Sequence, residues 1–264
     1  MKKDNAILWI FLHPPRTGGN TIIETILKKF PREEIFMTSL KRYDLDTEKF
    51  DKNKVRFMLG HATYYGIHNL VPDKQPKYFV ILRDPVDRLV SHYNFKMQEE
   101  KKKIPFDEWY KNQIKNEMVH FLSLKFNGSE SSRIPTPRIL MPIIKRLNYK
   151  SVYFIQTIFF KILRLNKPNK REGLKKLEDA KKLLDLCWFV GVAEKSKEDF
   201  KFILTSIGIK NPQWINDGVS KKIIKINEKL RQKIYNENPL DVELYNYAIK
   251  LREKKLAEIK NTKK

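Results

Sequence analysis

The chain has 264 residues, with 54 basic and 31 acidic side chains and a formal net charge of +23. Its 41% hydrophobic and 12% aromatic content excludes a disordered polycation and suffices for one large domain with its own core. A single cysteine, Cys187, excludes an intrachain disulfide; the charge favours anionic partners (nucleotide, nucleic acid, acidic glycan or membrane surface) without choosing among them.

The first element is a β-branched and aromatic run from Ala6 to Leu12, which reads as a buried strand. It is too short to span a bilayer and ends in a glycine loop, so it fits a strand better than a signal peptide. A helix follows over Thr21–Phe30, stopped by Pro31. Ile35–Thr38 and Val55–Leu59 read as short strands, and Lys77–Leu82 as a strong buried one. A helix over Val86–Met97 follows, with Pro85 in its first turn and Asp84 as its cap. Phe106–Leu124 is predicted as one helix, Gly128–Pro142 as an irregular loop, Ile143–Leu165 as helical and Lys167–Gly173 as a basic linker. Leu174–Leu186 is an amphipathic helix, Trp188–Val192 a strand with Cys187 buried beside it, and Lys197–Ile207 a helix. Residues 222–259 form two more helices punctuated by Pro239. Buried strands alternating with helices predict an α/β fold: a parallel sheet flanked by helices, P-loop-like, with a helical C-terminal half.

Three segments carry chemistry. In Pro15-Arg16-Thr17-Gly18-Gly19-Asn20-Thr21, two glycines let the backbone turn and bring its N–H groups to an anion, and the following helix N-terminus adds its dipole. Arg16 supplies a fixed charge; Thr17, Asn20 and Thr21 supply donors. The competing reading is an ordinary strand-to-helix turn. In "YFVILRDPVDRLVSHYNF", Arg83 stands at a strand's carboxyl end and Ser91 eight residues later on the helix, where both could face one phosphate; equally, Arg83 could pair with Asp84 or Asp87. In "MLGHATYYGIH", His61 also ends a strand, where an imidazole is either a general base or a satisfied core histidine. The histidines are otherwise scattered and show no metal-ligand spacing, so no metal is expected.

The order "HPPRTGGNT", "GHATYYGIH", "ILRDPVDRLVSHYNF" resembles the sulfotransferases, specifically the branch with the heparan and chondroitin (2-O-, 6-O-type) carbohydrate enzymes and their bacterial relatives. "NEMVHFL", "FVGVAEKSKEDF" and "NPLDVELYNYA" resemble later segments of that family. The resemblance implies 3′-phosphoadenosine 5′-phosphosulfate as donor, anionic at both ends. Arg16, Thr17, Gly18, Gly19, Asn20 and Thr21 would hold the 5′-phosphosulfate, Arg83 and Ser91 the 3′-phosphate. His61 would be the catalytic base, and Arg16 would stabilise the bridging oxygen. The chain departs from the family in having Arg16 for the usual lysine, His120 for the usual arginine, and "VGVAE" for "VGLTE".

One sulfotransferase domain over residues 1–264 is therefore expected, with a variable basic insertion at 129–171. A carbohydrate hydroxyl, on an acidic or lipid-linked glycan, is the implied acceptor, with Arg133, Arg138, Lys145, Arg146, Tyr149 and Lys150 as candidate contacts or merely a solvated surface. The mixed apolar and basic stretch from Arg138 to Leu165 could lie on an anionic membrane, or pack as a core helix pair or dimer face. A cytoplasmic location, peripheral to a membrane at most, is the expectation. The alternatives are a nucleotide kinase or NTPase, disfavoured because no Gly-Lys-Ser/Thr is present, and a basic protein binding nucleic acid or glycans without catalysis. Nucleic acid leaves the clustering of Gly18, Gly19, His61 and Arg83 at strand ends unexplained.

Overall fold

The computed structural model describes residues 6–38, 51–99, 103–128, 170–213 and 223–261. The predicted loop and helix over 129–165, and with them the candidate acceptor contacts, lie outside the described residues. Five strands, β1 (Ile7–Leu12), β2 (Ile35–Thr38), β3 (Phe57–Gly60), β4 (Gln75–Leu82) and β5 (Phe189–Val192), form a sheet of order β2-β3-β1-β4-β5. Every pair is parallel, as the predicted fold class requires.

Each strand is apolar on both faces because helices cover both. Leu8, Ile10, Leu12, Met58, Val80 and Leu82 point to one side. There they meet α4 (Glu117–Phe126), α5 (Lys170–Leu186) and α8 (Pro239–Asn261). Trp9, Phe11, Phe57, Leu59, Phe79 and Ile81 point to the other, where α1 (Asn20–Lys29) and α6 (Ser196–Ile207) bury Ile22, Ile26, Phe200 and Ile203. A third cluster joins α2 (Pro85–Glu99), α3 (Phe106–Lys111) and α7 (Glu228–Glu237) through Leu89, Tyr93, Trp109, Tyr110 and Ile234. Buried Asp199 on α6 accepts from Arg252 of α8 through Nε and Nη2, at 2.6–3.0 Å. It also accepts from Val192 N at 2.9 Å, which ties α8 to the end of β5. Among the described residues no helix is long and apolar enough to cross a membrane.

Two predictions of local structure are corrected. Helix α5 begins at Lys170 and absorbs residues expected in the basic linker. Phe106–Leu124 is two helices, α3 and α4, broken before Asn116, which adopts φ 53°. Asparagine tolerates that left-handed conformation better than most residues, and the break has a purpose in the packing. The Asn116 side-chain oxygen accepts from Leu240 N at 2.9 Å and Asp241 N at 3.1 Å, capping α8. In return the Asp241 carboxylate accepts from Val119 N at 2.8 Å and Met118 N at 3.2 Å, capping α4. Two helix N-termini more than a hundred residues apart thus satisfy each other's free N–H groups. Buried Arg88 of α2 closes the network by donating to Glu117 at 2.8 Å.

Burial pushes the Asp241 carboxyl up to about 6, against the pull of Arg88 and the two backbone N–H groups. Its unfolded value is about 3.9, so the folded state binds the extra proton between these limits. Stability from this group is therefore fully present below about pH 4 and is lost as pH rises through about 6. Urea unfolding across this range should show wild type losing on the order of 2 kcal/mol relative to Asp241→Asn. Asp241→Asn, less stable overall, should lack that decline.

Candidate functional site

Strand β1 is the centre of the site because it pairs with β3 on one side and β4 on the other. Leu12 stands opposite Gly60 of β3 and Val80 of β4. The segments leaving β1, β3 and β4 therefore emerge side by side at the carboxyl edge of the sheet, where open α/β folds bind ligands. All three segments singled out from the sequence leave the sheet here.

After β1 the chain turns through Arg16 (φ 67°) and Gly18 (φ 85°) into α1. Gly19 caps α1 with no side-chain hydrogen bond; the first turn has no acidic residue, and Lys28 and Lys29 lie in the last. That arrangement puts the positive end of the dipole, with no acidic side chain on it, at the turn, which favours an anion there. Gly18 and Asn20 are exposed, whereas Thr17 is buried and its hydroxyl donates to the Pro14 carbonyl at 2.9 Å. Thr17 thus closes the turn. Thr21 is buried and gives its carbonyl to the Thr25 hydroxyl.

Arg16 reaches across to α2. Its Nε and Nη2 donate to Ser91 Oγ at 3.2 and 3.1 Å, and the guanidinium lies 4.5 Å from the centre of the Phe95 ring. Arg83 Nη1 lies 3.4 Å from the Arg16 carbonyl oxygen. The resemblance assigns Arg16 and Ser91 to opposite ends of one ligand, and the structure brings them into contact. Burial and the Arg83 charge both lower the Arg16 pKa from its ordinary value; two guanidinium groups are being held close enough to oppose each other.

The carboxylates beside Arg83 are taken by another cation. Asp84 caps α2, accepting from Val86 N at 2.9 Å and Asp87 N at 3.1 Å, as the sequence predicts. Its second oxygen accepts from Tyr235 Oη at 2.7 Å. Arg231 of α7 lies 3.0 Å from Asp87 and 3.6 Å from Asp84. Among the described residues, neither acid makes an ion pair with Arg83. Of the two readings left equal by the sequence, the local ion pair of Arg83 is therefore not formed among the described residues.

His61 follows Gly60 and is half-buried, its Nδ1 2.8 Å from the His13 carbonyl oxygen. With Nδ1 as donor, Nε2 is the basic nitrogen. Its ring stacks on His13, centroids 4.3 Å apart. His13 is 3% exposed. Burial first, then His61 and Arg16, hold its pKa well below the usual histidine value, so it is neutral. The sequence gives His13 no role, although it is the first residue after β1, as His61 is the first after β3. Arg231 and Tyr235, which free Arg83, leave no local signal because they lie about 150 residues away in the chain.

Gly60 aims His61. Its φ is 128°, and a Cβ there would collide with the carbonyl of Thr38 on β2. Gly60→Ala combines a positive φ with a backbone clash and should cost at least about 2 kcal/mol in urea unfolding.

A family model described as the sulfotransferase family matches residues 10–148. No curated protein matches the sequence significantly. Solved structures with a similar fold include a sulfotransferase from Alicyclobacillus acidocaldarius, 15% identical over 89% of this chain and 92% of that one, TM-score 0.43. Mouse sulfotransferase SULT7A1 complexed with PAP is 16% identical over 89% of this chain and 64% of that one, TM-score 0.36. The family match covers more than half of the 264 residues and includes all three strand-end segments, so the chain belongs to the sulfotransferase family.

Proposed function

We propose that the protein transfers a sulfuryl group from 3′-phosphoadenosine 5′-phosphosulfate to a carbohydrate hydroxyl, with His61 as general base. The observation that carries this reading is the pair of Arg16, bonded to Ser91, and Arg83, at the Arg16 carbonyl, with the acids next to Arg83 committed to Arg231. An anion relieves the opposition of two crowded guanidinium groups, and a ligand anionic at both ends suits a site that continues from them to the open N-terminus of α1.

The donor supplies a sulfuryl group activated by its phosphate leaving group. Around it, the N–H groups at the start of α1 and the Arg16 charge would stabilise the negative charge that grows on the bridging oxygen, Arg16 leaving its bond to Ser91 to do so. Arg83 and Ser91 hold the 3′-phosphate. His61, fixed as donor to the His13 carbonyl, presents Nε2 to take the proton of the attacking hydroxyl. The carbohydrate acceptor rests on the resemblance to the heparan and chondroitin branch and on the net +23, which favours an acidic glycan.

Thermal melting tests the donor. 3′,5′-Adenosine bisphosphate at a hundred times its Kd should stabilise the protein by about 2.7 kcal/mol, and Arg83→Ala should weaken that effect. A larger effect from magnesium ATP would favour a nucleotide kinase instead. Turnover of labelled donor on an unsulfated heparan-type polysaccharide tests the base. His61→Ala should lose about 10²–10⁴-fold in kcat while binding the bisphosphate as wild type does; near-normal kcat in that variant removes His61 from the role.

A further inference from the structure

His13 is a buried histidine that the proposed chemistry does not use. Its ring sits third in a column of four. Phe79 of β4 stacks on Phe11 of β1 at 4.7 Å, Phe11 on His13 at 4.8 Å, and His13 on His61 at 4.3 Å. The column starts between two strands in the core and ends at the candidate base. The His13 main chain holds His61 as well, through the carbonyl that receives Nδ1. Another edge of the same ring lies under the anion loop: a Cβ built on Gly19 would stand 2.5 Å from His13 Cδ2 and 2.6 Å from Nε2. Its Nδ1 is buried and, among the described residues, has no hydrogen-bond partner. A polar atom left unmet inside a protein is uncommon, and it argues that the ring is used here for its shape. Burial keeps that ring uncharged, so it does not repel the imidazolium that forms when a base takes a proton.

We infer that His13 is a positioning residue, a flat, neutral plate that seats His61 on one face and the Gly18-Gly19 turn on one edge, fixing the base and the donor loop at one spacing. This rests on the reading of His61 as base and of the loop as donor site. Removing the plate loosens both neighbours together: of the three atoms nearest a Cβ at Gly19, two belong to His13, and the third, Phe11 Cζ, lies one layer further from the base.

The test uses the full chain and needs no acceptor. Affinity for 3′,5′-adenosine bisphosphate is measured by calorimetry, and the His61 tautomer by nitrogen-15 NMR of the labelled imidazole. In wild type His61 should show one tautomer, protonated at Nδ1. His13→Asn should raise the Kd at least about 10-fold and replace that single tautomer by a mixture. His13→Phe, which keeps the plate and removes its nitrogens, should hold the Kd within about 3-fold of wild type and keep the tautomer. Should His13→Asn not fold, His13→Gln takes its place. If the small variant leaves either property as in wild type, or if the phenyl variant loses either one, the shared seat is overturned. A wild type that does not bind the bisphosphate, or a His61→Ala that keeps its turnover, instead overturns the functional reading, and neither result is read from a His13 variant.

Discussion

The parallel register of β3, β1 and β4 is the constraint on which the site depends. Neighbouring strands in a sheet lie about 4.8 Å apart, so the residues just past Gly60 and Leu12 leave the sheet one strand spacing apart, and β4 on the other side of β1 runs two residues further, to Leu82. No long loop has to bring His61 to the anion turn. The cost of convergence is carried by the sheet's own hydrogen bonds and its two buried faces. Side-chain facing alternates along a strand, so a slip of one residue in β1 would exchange Phe11, which begins the layer under Gly19, with Ile10 or Leu12 of the opposite core. The register that packs the core is therefore also the register that supports the turn.

Close approach is the second consequence. The would-be Cβ at Gly19 meets the ring atoms of Phe11 and His13, and that at Gly60 meets the Thr38 backbone. Thr38 and Thr63 then use their hydroxyls on the main chain: Thr38 donates to Leu59 O at 3.1 Å, and Thr63 shares its one proton between Phe11 O at 2.7 Å and Gly60 O at 2.8 Å. These bonds satisfy carbonyls at the ends of β1 and β3 where the ladder stops. They leave the strand tips rigid without adding a side chain that would fill the space a ligand needs.

Legibility in the sequence follows how local each cause is. β1, β4 and β5 are continuous apolar runs because helices cover both faces, and all three are predicted within two residues of where they lie. The α2 cap was equally readable, since Asp84 and Pro85 act on their own helix. The break at Asn116 was not: its reason is the free end of α8, and nothing around residues 112–116 reports that partner. Arg83 shows the same limit from the site's side. Its nearest acids in sequence made a local ion pair a fair alternative, and only the packing of α7 against α2 gives those acids to Arg231. His13 was hidden differently, because a single buried imidazole carries no periodicity, and its stacking partner comes from another strand.

The later sequence segments that resemble the family, Asn116–Leu122 and Asn238–Ala248, turn out to be two halves of one joint. Asn116 caps α8 and Asp241 caps α4. Asn238 adds to it by accepting from Asn116 N at 2.9 Å and donating to Tyr110 Oη at 3.1 Å. Their connection to the site runs through α2, where Arg88 is buried against Glu117 and Ser91, three residues later, faces Arg16. Residues three apart on a helix share a side but not a height, so the anchor at Arg88 sets both the rotation and the axial position of Ser91. A helix held only by apolar packing could turn or slide by a fraction of a turn at little cost. A buried guanidinium fixed on one carboxylate, itself next to a doubly capping carboxylate, cannot move without stranding a charge. The joint between distant chain segments thus gives α2 one orientation, and that orientation puts the Ser91 hydroxyl within reach of Arg16.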